Sequence, residues 1–320
     1  MNRRHILAAA AVLSMAPVAF AQTGGKPVRI VTSFSPGGPV DFVARTLAEQ
    51  LARELKRPVI VDNKPGANGA LGALETLRSE ADGGTLWITS VGAAAINPSL
   101  VDKSPYNTLR DFAPVSLVAN NVEVLVVGAK DPAADAAAFV QAAKASKEPT
   151  PMASSGSGSI PHLALIQLEE STGARFLHVP YKGMAPAFTD LMGGQVKGVF
   201  ADVAAIMPHV QGGRLKAIGI AAAKRHPSLP EVKTLDEQGI KAVDTNNWYA
   251  LFVAAKTPPA VVAQLNQAVR HAVADPEVSA RLLRGGAEPK TSTPQELAAL
   301  LKADTDKWAA LIKSRNIKAD

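Results

Sequence analysis

The sequence predicts an α/β protein built as two lobes. Three observations carry that reading. Strand-like apolar runs and helix-like periodic segments alternate along nearly the whole chain, which points to largely parallel sheets. Two of the strand-to-helix passages are glycine- and serine-rich loops. Polar breaks at Ala119-Asn120-Asn121 and Asp244-Thr245-Asn246-Asn247 each precede a strand and mark two crossings between lobes, a hinge geometry.

The chain opens with a basic head, Asn2-Arg3-Arg4-His5, an apolar stretch from Ile6 to Val18 and the small-x-small site Ala19-Phe20-Ala21. This is an export signal, residues 1–21, and the mature chain begins near Gln22. The stretch is too short for a membrane anchor. Arg3-Arg4 leaves the general and the twin-arginine export routes both open.

A strand, Val28 to Val31, then leads through Ser33-Phe34-Ser35-Pro36-Gly37-Gly38-Pro39-Val40-Asp41 into a helix on which Phe42, Val43, Leu47 and Leu51 recur at helical spacing. Pro58–Asp62 is a strand, Asn63–Gly69 a turn cluster, and Leu71, Leu74 and Leu77 mark one face of the next helix. The strand Thr85–Ser90 is followed by a loop, Val91–Ala95. Val122–Gly128 is an apolar strand broken only by Glu123. A helix over Ala133–Lys144 precedes the short strand Thr150–Ser154. The loop Ser155–Ser159 then opens a helix carrying Leu163, Ile166 and Leu168. Phe176–Val179, Val196–Ala201 and Leu215–Ala221 are further strands. Thr257-Pro258 and Thr293-Pro294 place threonine at a cap and proline at the first helical position, and Glu296 completes a capping box at the second.

Composition narrows the function. There is no cysteine, which removes disulfides, thiol catalysis, cysteine metal sites and a lipidated cysteine. An exported chain without disulfides is held by its core, and about 300 residues suffice for two lobes. The net charge of +6 falls to +4 once Arg3 and Arg4 leave. The basic residues are scattered, and three tryptophans and three tyrosines make a poor stacking platform, so nucleic acid is not expected as a partner. A mild positive field helps collect small anions.

The first loop alone is explained equally by an ordinary strand-to-helix turn, and the second loop of the same kind shifts that balance. Together they suit one modest anion, such as a carboxylate, gripped from two sides. Glycines admit close backbone approach, and a helix N-terminus offers free N–H groups and a favourable dipole. Neither loop is a nucleotide signature: Gly156-x-Gly158 lacks the third glycine, and there is no Gly-Lys-Ser/Thr.

The motifs combine into a resemblance. Phe34-Ser-Pro-Gly-Gly-x-x-Asp41, Asp62-Asn-Lys-Pro-Gly-Ala-Asn-Gly69, Ala95-Ile-Asn-Pro-Ser-Leu100 and Asp111-Phe-Ala-Pro-Val115 come first. Ser155-Gly-Ser-Gly-Ser-x-x-His162, His178-Val-Pro-Tyr-Lys-Gly183, Pro186–Gly194 and Lys224–Pro230 follow in order. In this joint order the chain resembles the periplasmic substrate-binding proteins of tripartite tricarboxylate transporters, the Bug family, over the whole mature length. The resemblance implies the type II periplasmic binding protein fold, two α/β lobes closing on a ligand in the cleft between them. Lobe 1 would comprise residues 22–121 plus 246–320, and lobe 2 residues 122–245.

The resemblance also implies a site. The opposed loops would hold a small carboxylate through backbone N–H groups, hydroxyls and waters, drawing on Phe34, Ser35, Gly37, Gly38 and Asp41 on one side and Ser155, Gly156, Ser157, Gly158 and Ser159 on the other. Ser90, Ala93, Tyr181, Gly183 and Asp202 would line the same cleft. Ser35 stands where proline is usual, Pro39-Val40 stiffens the first loop, and Asn68 replaces a usual glycine. Membrane transporter subunits, or a sensor kinase, would receive the loaded protein in the periplasm, and a monomer is expected.

Several residues carry two readings. Asp41 either stabilises its helix start or meets a ligand amine or water. The three loop serines either cap the following helix or touch ligand. Asp202 either repels a second carboxylate or binds a polar ligand group. His162 and Trp248 read as packed, Tyr181 as cleft wall, and Lys182 as solvated. An enzyme is not expected. Ser157, His162 and Asp202 lack a Gly-x-Ser-x-Gly elbow, the six histidines form no His-Glu-x-x-His, and no catalytic residue, metal or cofactor is assigned.

Overall fold

The structure, a computed structural model, describes residues 25–318 apart from Asp102, Lys182 and Asn246 and the side chain of Asn68. The export signal, the reading of Lys182 and the lobe boundary at Asn246 lie outside the described residues.

In chain order the first strands and helices are β1 (Val28–Thr32), α1 (Pro39–Leu55), β2 (Val59–Asn63), α2 (Ala70–Arg78) and β3 (Thr85–Ser90). A π-helical turn, Gly92–Ile96, runs into α3 (Asn97–Leu100), and α4 (Thr108–Asp111) leads to β4 (Phe112–Asn121). Next come β5 (Glu123–Gly128), α5 (Ala136–Ala145), β6 (Thr150–Ser154), α6 (Ile160–Thr172) and β7 (Phe176–Pro180). These precede α7 (Met184–Gly193), β8 (Gly198–Asp202), α8 (Val203–Gln211) and β9 (Leu215–Ile220). The chain ends with β10 (Asn247–Ala254), α9 (Pro259–Ala274), α10 (Pro276–Arg284), β11 (Glu288–Pro289) and α11 (Pro294–Ser314).

Two sheets result. The first has the order β11-β4-β10-β3-β1-β2 and the second β7-β6-β8-β5-β9. They are mixed, not largely parallel as the alternation suggested. β1 runs parallel to β2 and β3, and β6 to β7 and β8. β10 runs antiparallel to β3 and β4, and β5 antiparallel to β8 and β9. The reversed strands are β5, β10 and the two-residue β11, which runs antiparallel to β4; β5 and β10 are those by which the chain enters each sheet from the other. Counting βαβ units along the sequence does not see them.

Four local expectations need correction. Val91–Ala95 is helical, because an alanine-rich run is a good helix former and its Ala93–Ile96 face is buried. Ala119-Asn120-Asn121 is no break. It ends β4, where Asn120 pairs with Trp248 and Asn121 with Asn247, so sheet pairing overrides the polar composition. On α2 the buried side is Ala70, Gly72, Ala73 and Thr76, while Leu71 is exposed. The helix lies so close to β1's end that a Cβ on Gly72 would stand 2.5 Å from Ser33 Oγ. Finally, α9 is capped at Pro258 with Pro259 at its first position, one residue later than Thr257-Pro258 implied. The capping box of α11 is as expected: Glu296 N–H donates to Thr293 Oγ1, and Thr293 N–H to Glu296 Oε2 at 2.8 Å.

Each sheet carries apolar clusters on both faces. α1, α9 and α10 cover one face of the first sheet. The other face gathers Trp87, Trp248 and Trp308 and includes Ile160, Leu163 and Ile166 of α6, which belongs to the second sheet's half. That shared cluster draws the two halves together. Trp248 is fully buried, as expected of a packed residue, and its Nε1 donates to Asp304 Oδ2 at 2.6 Å. Between β4 and β5 only Val122 intervenes. Among the described residues no helix is long and apolar enough to cross a membrane.

Candidate functional site

A cleft of about 480 Å³ opens between the two sheets. It is lined by ten of the fifteen expected residues: Phe34, Ser90, Ala93, Ser155, Gly156, Ser157, Gly158, Ser159, Tyr181 and Asp202. Ser35, Gly37, Gly38, Asp41 and Gly183 are not among the lining residues.

The first loop explains its own absentees. After Phe34 the chain turns outward, exposing Ser35 and Gly37, with Gly37 at φ +80°. Asp41 is buried behind this turn. Its carboxylate accepts the Gly37 N–H at 2.9 Å, Arg45 Nε at 2.9 Å and Asn63 Nδ2 at 2.8 Å. Burial works against its charge, yet Arg45, the Gly37 amide and Asn63 together hold its pKa below the usual carboxylate value. Asp41 therefore fixes the loop's shape from behind.

The second loop is the opposite case. Gly156 (φ +128°) and Gly158 (φ +73°) turn the backbone so that β6 passes directly into α6. Ser154 Oγ accepts the Gly156 N–H at 3.1 Å and lies 2.6 Å from His178 Nε2. Ser159 is the helix cap: it accepts the His162 N–H and donates to the Gly156 carbonyl at 2.6 Å. His162 Nδ1 takes the Gly158 N–H at 2.9 Å, and its ring stacks on His178 at 3.7 Å. With Ser159 holding the cap, Ser155 and Ser157 occupy the cleft wall ahead of α6's N-terminus.

Tyr181 forms another wall. Its hydroxyl donates to Asp190 Oδ2 at 2.6 Å, and burial, with Asp190 beside it, pushes its pKa up to about 12. Gly183, at φ +101°, caps α7 behind it.

The floor holds residues that the sequence reading left unassigned. Glu123 and Asn247 line the cleft together with Asp202. Glu123 and Asp202 stand directly opposite each other in the β5–β8 pairing. Glu123 is only 2% exposed, and burial with the nearby Asp202 charge raises its pKa well above the ordinary value. Asp202 caps α8, accepting the Ala205 N–H at 2.8 Å, and burial raises its pKa as well. Below them the Asn121 amide donates to the Tyr249 hydroxyl at 2.6 Å. Glu123 had one sequence signal: it is the single charge in an otherwise apolar strand. Asn247 sat in what read as a linker.

Chemically the cleft offers N–H and hydroxyl donors on one wall and carboxyl oxygens on its floor. No lysine, arginine or histidine is among its described lining residues. Among the described residues no group of three His, Cys, Asp or Glu side chains is placed to hold a metal.

Comparison with known proteins follows the same line. The profile of the tripartite tricarboxylate transporter family receptor matches residues 43–317. The chain is 32% identical to Protein BugT of Bordetella pertussis, over 95% of this chain and 93% of BugT. It superposes on MatC of Rhodopseudomonas palustris, solved with bound malate, with a TM-score of 0.77 and 30% identity, covering 89% of this chain and 98% of MatC. A second R. palustris protein, solved with adipate, gives a TM-score of 0.82 at 28% identity, covering 91% of this chain and 98% of that one.

Proposed function

The chain belongs to the tripartite tricarboxylate transporter receptor family, whose members are periplasmic solute-binding proteins and not enzymes, and on that premise we propose that it captures a small carboxylate in the cleft between its sheets and delivers it to the membrane subunits of such a transporter. One observation carries the reading. The Ser155–Ser159 loop opens the N-terminus of α6 into a cleft that admits a small ligand. The malate and adipate of the two R. palustris neighbours are ligands of this chemical class.

In this reading Ser155, Gly156, Ser157 and Gly158 grip the carboxylate, with Phe34, Ser90, Ala93 and Tyr181 as walls. Ser35, Gly37, Gly38, Asp41 and Gly183 act from behind, holding the loops that close on it. Residues 22–121 with 246–320 form one lobe and residues 122–245 the other, turning about the two crossings. The mature protein starts near Gln22 and works as a monomer.

The test is a thermal-shift screen of carboxylates on protein freed of co-purified ligand. Ligand at about a hundredfold over its Kd stabilises the folded state by roughly 2.7 kcal/mol, a rise of several degrees in Tm. The ligand is recovered unchanged. A flat response across mono-, di- and tricarboxylates and amino acids refutes the reading.

A further inference from the structure

The floor of the cleft leaves acceptor oxygens unmet, although the Asn247 amide already faces Glu123 and the Asn121 amide faces Asp202. Glu123 is 2% exposed and its Oε2 has no hydrogen-bond partner. Asn247 is 9% exposed, and its Oδ1 likewise has none. Both side chains line the cleft. Opposite Glu123 stands Asp202, whose Oδ1 is already turned to the Ala205 N–H. Three acceptor-bearing side chains thus converge where no described lysine, arginine or histidine lines the cavity. Buried oxygens without partners are costly, and buried carboxyls without a counter-charge more so.

A second carboxylate on the ligand would meet this floor as a third acidic group. A protonated amine meets it differently. It brings three N–H donors and one positive charge to two acidic side chains and an amide oxygen. The opposite wall, with the helix N-terminus and the serine hydroxyls, takes the ligand's carboxylate. The two ends of the cleft therefore have opposite electrostatic preference, and the group that satisfies both is a zwitterion.

We infer that Glu123, Asp202 and the Asn247 side-chain carbonyl form an ammonium seat, and that the ligand is an amino carboxylate in place of a simple di- or tricarboxylate. The inference rests on the reading that the cleft binds a carboxylate, and it adds what the far end of the ligand must be. It also sets this chain apart from neighbours solved with malate and with adipate, neither of which carries an amine.

Calorimetry on matched pairs tests it. L-aspartate is set against succinate, L-glutamate against glutarate, L-alanine against propionate and L-phenylalanine against 3-phenylpropionate, all at pH 7.5. On the native protein at least one amino member binds about tenfold or more tighter than its deaminated partner. In Glu123→Gln that preference falls by about tenfold, while the deaminated partner binds equally or more tightly. Asp202→Asn keeps the cap of α8 and moves the ratio the same way, so the test stands even if one variant folds poorly. Native protein that prefers the deaminated member of every pair, or a preference unmoved in both variants, overturns the ammonium seat while leaving the carboxylate reading intact. Binding by no member of either class overturns both.

Discussion

Leu100 of α3 and Gly158 of the serine loop meet across the cleft, so closely that a Cβ on Gly158 would stand 2.4 Å from Leu100 Cδ2. The two residues lie in opposite halves of the molecule, and a side chain at position 158 would press directly on the Leu100 side chain. Gly158 also holds φ +73°, where side chains are strained. Gly158→Ala is expected to lower apo stability by about 1 kcal/mol through that strain. It is also expected to weaken ligand binding by about tenfold or more by wedging the halves apart. Calorimetry and small-angle scattering check both effects. Adding Leu100→Ala should restore much of the affinity and none of the backbone strain.

The serine loop divides its labour. Ser159→Ala removes the cap of α6 and should lower Tm by an amount equivalent to about 0.5–2 kcal/mol. Ligand affinity at a temperature where the variant is folded should change less than about threefold. Ser157→Ala should do the reverse, lowering affinity by about tenfold through its lost donation to the carboxylate while lowering Tm less than Ser159→Ala does. Equal effects of the two substitutions on both readouts would refute the division.

Glu123 gives the apo protein a pH dependence of definite sign. Its folded pKa lies well above the ordinary 4.5, owing to burial and to Asp202. The folded state therefore keeps a proton that the unfolded chain releases. Stability from this group is complete below the ordinary value and is lost as pH rises toward the folded one. The other groups facing it are Asp202, whose raised pKa has the same sign, Tyr249, and the uncharged Asn121 and Asn247. Glu123→Gln should match wild type near pH 4 and melt higher at pH 8, flattening the profile without levelling it. A profile identical to wild type in a melting series from pH 4 to 8 would remove Glu123 as its source.

Asp41 acts with the opposite sign. Its pKa sits below the ordinary 3.8, so its stabilisation is present above that value and is lost as pH falls through the folded one. Asp41→Ala removes the shared acceptor of the Gly37 N–H, Arg45 Nε and Asn63 Nδ2 and should lower stability by about 1–3 kcal/mol at pH 7. Denaturant melts at pH 7 and pH 3 check it: the gap between variant and wild type should narrow at the lower pH.

What was legible in the sequence was local. The β1 loop, the serine loop and the capping box at Thr293 each carry their local geometry in a few contiguous residues; the strand-to-helix passages and the box form as read, while the β1 loop turns all of its expected residues but Phe34 away from the cleft. What was not legible depends on partners far along the chain. Asn120 and Asn121 read as a break because two asparagines are poor strand formers, and only pairing with Trp248 and Asn247 reveals β4. The reversed direction of β5 and β10 is a property of entry from another sheet. Leu71 pointed to the wrong face of α2 because the helix is held to β1 by its small residues, Gly72 and Ala73. At the site, Glu123 and Asn247 are more than a hundred residues apart and meet only on the cleft floor.

The strand order of the first sheet also sets a timetable for the growing polypeptide. β10 lies between β3 and β4, yet it is made after every strand of the second sheet. As synthesis proceeds from the N-terminus, residues 123–220 can complete their own sheet as an uninterrupted stretch, while β3 and β4 wait with bare edges for a strand still unmade. The half of the molecule begun first is thus finished last, and through that interval two apolar strands depend on chaperone cover or on speed to stay out of the wrong company.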